Sequence, residues 1–105
     1  MRIKGIVDGI LVFDNGSCIT FDHEQDCCED NYADFDQLES EACDFSFQEP
    51  LDFEMVEYGF LFGNKGVRMF FVPCYSDQNG YYTQDVDILY NGVKVGCTFG
   101  ELIYG

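Results

Sequence analysis

Basic residues are scarce in this chain, and from Gly5 to Asn64 there are none. That stretch of 60 residues carries 16 acids and no Lys or Arg. The whole chain has 105 residues, with 20 Asp+Glu, 5 Lys+Arg and a formal charge of −15. A surface of this sign repels a phosphate backbone, which excludes a basic nucleic-acid-binding domain. Long apolar runs are lacking too. A run such as Ile10 to Phe13 is the longest there is, far short of the roughly 20 residues of a membrane span. No export signal is legible: Arg2 and Lys4 precede an apolar stretch, but Asp8 interrupts it and no small-residue cleavage site follows. The chain is therefore expected in the cytoplasm, with Cys18, Cys27, Cys28, Cys43, Cys74 and Cys97 as thiols rather than a disulfide scaffold. No C-x-x-C spacing occurs among them.

Apolar material, by contrast, is plentiful. Apolar residues make up 47% of the chain, including 11 Phe and 7 Tyr, enough for a core and against disorder as the default. The length fits a single domain spanning 1–105. The residues outside Gly5–Asn64 hold all the Lys and Arg and only four acids, Asp77, Asp85, Asp87 and Glu101. An acidic part is thus joined to a nearly neutral one.

The patterning predicts an α+β fold: a mostly antiparallel meander of about six strands, with a helical insertion after the second. Ile3–Phe13 reads as one strand with a bulge or bend at Asp8-Gly9. Asp14-Asn15-Gly16 is a hairpin turn, and Ser17–Phe21 returns from it. Cys28, Tyr32, Phe35, Leu38 and Ala42 then recur at gaps of four and three, one face of a helix, with Asp26 and Glu29 spaced as its N-terminal cap. Past Pro50, Phe53–Phe62 alternates as a strand, with Val56, Tyr58, Phe60 and Phe62 on one side. These aromatics read as core, because no cation stands beside them to make a base-stacking platform. Val67–Tyr75, Tyr81–Tyr90 and Val93–Phe99 complete the strands, the last two joined at Asn91-Gly92.

One polar box stands apart, Asp22-His23-Glu24-Gln25-Asp26-Cys27-Cys28-Glu29, with the only His and two adjacent Cys. His23 and Cys27 lie four apart and would share a helix face, as two ligands of a metal such as zinc must. Cys28 would point about 100° away, and no second ligand pair is evident. A Cys27 nucleophile with His23 as base would have to act against Glu24, Asp26 and Glu29, which favour thiol over thiolate. The plainer reading packs Cys28 inward and gives Asp26 the cap. The run from His23 to Leu38 (HEQDCCEDNYADFDQL) resembles a small family of bacterial and bacteriophage proteins of unknown function that carries an H-x-Q-D-C-C-E box before an aromatic helix. The resemblance implies a bacterial or phage source and no particular activity.

Phosphate-cradling and nucleophile-elbow motifs are absent, and Asp34-Phe35-Asp36 fails as a calcium loop because Glu39 stands where the turn glycine belongs. With 20 acids no pair can be singled out for acid–base catalysis, so the reading favours a binding protein over an enzyme. The expected function is engagement of a basic protein surface, as an inhibitor or nucleic-acid mimic would do it. Asp30, Asp34, Asp36, Glu41 and Asp44, spaced along the expected helix, would occupy Lys/Arg sites meant for phosphates. The alternatives are a metal or thiol function at His23, Cys27 and Cys28, and a self-assembly module built on edge strands.

Overall fold

Asp8 and Gly9 both take left-handed backbone angles, φ 51° and 77°, so the chain reverses fully where the sequence predicts a bulge or bend within one strand. This is the two-residue turn whose twist suits a β-hairpin. It separates β1 (Ile3–Val7) from β2 (Ile10–Phe13), with Val7 opposite Ile10. The Asp14–Gly16 turn is as the sequence indicates, with the Ser17 N–H donating to Asn15 Oδ1 at 3.0 Å, and leads into β3 (Cys18–Asp22). Asn91 and Gly92, φ 51° and 81°, make a second turn of the first kind, between β8 (Asp85–Tyr90) and β9 (Val93–Phe99). β8 docks antiparallel on β3, giving a five-stranded sheet in the order β1-β2-β3-β8-β9. The computed structural model describes residues 1–22, 30–78 and 83–103.

The second sheet is built on β7 (Arg68–Asp77), whose amides alternate between two edges. Cys74 N–H reaches Tyr58 O on the edge shared with β6 (Gly59–Asn64), while Pro73 O accepts from Asp34 N on the other. The missing Pro73 N–H would point to that same second edge, just past Ala33 where β4 ends, so the β6 ladder stays intact and a proline is tolerable there. β5 (Asp52–Val56) pairs with β6, β4 (Asp30–Ala33) takes the far edge of β7, and β10 (Glu101–Ile103) runs parallel to the end of β7. The inner faces of both sheets contribute to one core: Leu11, Phe13, Ile19, Val86 and Ile88 from the first, Phe60, Phe62, Phe70 and Val72 from the second. Met55 packs over Gly96, where a Cβ would come within 2.7 Å of its Cγ, so glycine at that point lets β5 approach β9.

The α+β expectation of six strands and a helical insertion is therefore corrected. The described residues are nearly all-β, with ten strands in two sheets and one short helix, α1 (Leu38–Glu41). Four segments account for the difference, one of them Glu101–Ile103, which adds β10 past the last expected strand. Ile3–Phe13 is a hairpin, and Phe53–Phe62 is another, reversed at Glu57-Tyr58, with Tyr58 at φ 61°. Tyr58 is consequently exposed, whereas Phe60 and Phe62 are core as expected. The helical spacing from Tyr32 to Ala42 is met without a helix of that length. Asn31 and Ala33 point inward from β4, Phe35 plugs the core from a loop, and only Leu38 and Ala42 belong to the α1 turn. The local chemistry explains this outcome. Asp30, Asn31, Asp34 and Asp36 are poor helix formers because their side chains compete for backbone groups. The Asp34 carboxylate does so directly, accepting the Asp36 N–H at 3.0 Å. α1 has acids in its first turn and no base in its last, so nothing prolongs it.

Two buried polar clusters tie the irregular parts to the sheets. Asn31, fully buried, donates from Nδ2 to Thr83 O at 2.9 Å and accepts from Ser76 Oγ at 2.5 Å, joining β4 and β7 to the entry of β8. Asn64 grips the backbone of Gln48 twice, accepting its N–H and donating to its C=O at 2.7 Å each. That clip fixes the chain where Phe47 enters the core.

Candidate functional site

The first hairpin and the segment after β4 enclose a cleft of about 320 Å³, lined by Ile6, Gly9, Phe21, Tyr32, Ala33, Asp34, Phe35 and Asp36. Each part of it follows from local structure. Gly9 supplies the left-handed turn residue, which faces the Phe21 ring without a side chain between them. Antiparallel pairing with β7 sets Tyr32 opposite Tyr75, their ring centroids 5.7 Å apart, and the Asp34 N–H continues the ladder to Pro73 O at 2.9 Å. Phe35 is held edge-on against Phe60 at 6.3 Å. The Asp34–Asp36 hydrogen bond then fixes the turn that places both residues at the cleft.

No Lys, Arg, His or Cys is among these lining residues. The field inside is negative, and the Tyr32 phenol registers it. Its pKa is pushed above the usual tyrosine value, first by partial burial and then by the carboxylates of Asp34, Asp30 and Asp77. Aromatic walls with acidic residues and no competing base among the described lining residues suit a cation.

Of the acids read from the sequence as partner contacts, Asp34 and Asp36 meet at this cleft. Asp30 lies nearby on β4, exposed and paired in register with Asp77. Glu41 ends α1 and Asp44 follows it, both exposed. They share no helix face, since the helix that would have aligned them is a single turn; the spacing argument is corrected to that extent. His23 and Cys27, the expected metal pair, lie outside the described residues, as do Cys28 and the Asp26–Glu29 cap. Among the described residues no group of three or more His, Cys, Asp or Glu is placed to hold a metal ion. The Cys74 thiol is buried and its pKa pushed up to about 12, which makes it unreactive. Burial, reinforced by Asp87 and Asp85, also raises that of Cys97. Ile6, Phe21 and Tyr32 carry no site signal in the sequence by themselves; Asp8-Gly9, taken as a hairpin turn, is the signal that folds Ile6 toward Phe21.

No protein-family model, no curated protein and no solved structure matches this chain. No helix among the described residues is long and apolar enough to cross a membrane.

Proposed function

We propose that the chain is a small acidic binding protein that engages a basic surface on another protein, in the manner of a phage-type inhibitor or nucleic-acid mimic. One observation carries the reading: 16 acids and no Lys or Arg in the 60 residues from Gly5 to Asn64. Asp8, Asp14, Asp30, Asp36, Glu39, Glu41, Asp44, Glu49, Glu54 and Glu57 in that stretch are all exposed, so their field reaches a partner's surface. Their mutual repulsion opposes folding and is relieved when a basic surface docks. The mechanism is competition, with carboxylates taking Lys/Arg positions that would otherwise hold phosphates.

The self-assembly alternative has less support. Both end strands of the first sheet are irregular: Lys4 is the extra residue of a bulge in β1, and a bulge in β9 follows Lys94. Bulges and lysines on edge strands hinder pairing with a second copy.

The test is a titration against a basic DNA-binding protein, at rising salt and with duplex DNA as competitor. Binding that weakens about tenfold or more as screening shortens from roughly 30 Å to 8 Å, and that DNA displaces, supports the reading. Salt-independent binding, or none, overturns it.

A further inference from the structure

We infer that the cleft between the first hairpin and the Tyr32–Asp36 segment is the seat for an arginine side chain of the protein partner. The inference rests on the basic-partner reading and adds to it a recognition pocket. Three properties of the cleft select this occupant. Its volume of about 320 Å³ lies at the small end of ligand pockets, which suits one side chain better than a folded element. Its walls include the half-buried Phe21 and Tyr32, and a guanidinium, planar and weakly hydrated, stacks on the faces of such rings. Its rim holds Asp34 and Asp36, whose oxygens match the forked donors of that group.

Other occupants fit less well. A compact, strongly hydrated ammonium gains less from aromatic walls and lacks the planar fork of donors that pairs with carboxylate oxygens. A metal ion would find only two acidic residues among the described residues that line the cleft. A neutral ligand would leave the negative field of Asp30, Asp34, Asp36 and Asp77 unanswered. The cleft is also open to a neighbouring molecule: Asp36 beside it is exposed and Tyr32 and Asp34 are half-buried, so a side chain projecting from a docked surface can enter.

The experiment titrates the intact protein with an oligo-arginine peptide and an oligo-lysine peptide of equal length, following affinity by calorimetry and the Tyr32 ring by NMR. Two double variants are compared. Asp34→Asn with Asp36→Asn neutralises the cleft and keeps the amide oxygen that accepts the Asp36 N–H. Glu41→Gln with Asp44→Asn removes the same charge outside it. The unaltered protein should bind oligo-arginine about fivefold more tightly than oligo-lysine, with shifts at the Tyr32 ring. The cleft variant should lose that preference, while the outer variant weakens both peptides alike and keeps it. Equal affinity for the two peptides, or a preference that survives in the cleft variant, overturns the arginine seat and leaves the basic-partner reading standing. Failure of the protein to bind either peptide overturns both.

Discussion

The β8–β9 hairpin and the stretch from Asp34 to Leu51 are held in opposite ways. The hairpin is a ladder: paired backbones from Asp85↔Phe99 to Tyr90↔Val93, a turn whose residues suit its angles, and alternate side chains, Val86 and Ile88, in the core. The stretch from Asp34 to Leu51 has one turn of helix and no strand. It is fastened by plugs, Phe35, Leu38, Ala42, Phe47 and Leu51, and by side-chain clips from Asn64 and to Glu49. A ladder spreads its stability over many equivalent bonds, whereas a plugged segment concentrates it in few. The plugged form lets a run holding Asp34, Asp36, Glu39, Glu41, Asp44 and Glu49 lie on the core with most of its charges outward. Asp36, Glu39, Glu41, Asp44 and Glu49, half of the exposed acids named above, thus sit on a described segment with almost no regular structure.

The contrast is tested hardest at Phe47. Its ring is buried, 4.7 Å from Phe45, 5.4 Å from Phe62 and 5.5 Å from Phe13, so it joins the plugged segment to both sheets. Phe47→Ala should cost about 3–5 kcal/mol in urea unfolding, the range for emptying a packed aromatic site. A loss below about 1 kcal/mol would show that the segment is held elsewhere. Asn64 comes next. Asn64→Ala strands the N–H and C=O of Gln48 and should cost about 1–3 kcal/mol. Hydrogen exchange should speed up first at Gln48 and Phe47, with the β8–β9 amides unchanged. Uniform acceleration through β8 and β9 would mean that the two regions unfold as one unit and that the contrast is only geometric.

This difference also decides what the sequence reveals. Turn chemistry is local, so Asn91-Gly92 and Asp14–Gly16 are legible, as is the alternation of Val86, Ile88 and Tyr90. Asp8-Gly9 has the same chemistry, but Ile3–Phe13 reads as a continuous run and hides the reversal. Glu57-Tyr58 offers no signal at all, because a tyrosine in the left-handed region is one of the least expected turn residues. Between Tyr32 and Ala42 the apolar spacing is real, since Phe35, Leu38 and Ala42 are buried, yet burial at helical intervals does not require a helix. Capture of Asp30–Ala33 by the free edge of β7, some 40 residues onward, cannot be seen from local pattern. The cleft is hidden for the same reason: its walls come from β1, β3 and the end of β4. Asp34 and Asp36 are legible as acids, and only the pairing of β4 with β7 makes them neighbours of Phe21 and Ile6.

The smallest expected effect is at Glu49, where the plugged segment reaches the hairpins by charge. Its Oε1 accepts from Tyr90 Oη at 2.9 Å, Asn15 Nδ2 at 3.2 Å and Ser17 Oγ at 3.4 Å. These bonds, with Tyr90 foremost, hold its pKa below the usual glutamate value. A carboxyl with a depressed folded pKa contributes stability above its unfolded pKa and loses it as the pH falls through the folded one. The chain as a whole pulls the other way, because protonating a surface of charge −15 relieves repulsion. The Glu49 contribution is therefore invisible in a single acid titration and must be read as a difference. The gap in urea midpoint between the unaltered protein and Glu49→Gln, which keeps an acceptor and removes the charge, should be constant at neutral pH. It should shrink toward zero below the usual glutamate range, as the native carboxyl becomes neutral too. A gap that persists unchanged into strong acid would mean that Glu49 fastens the segment by shape alone, and that the ladder and the plugged segment meet there without electrostatic help.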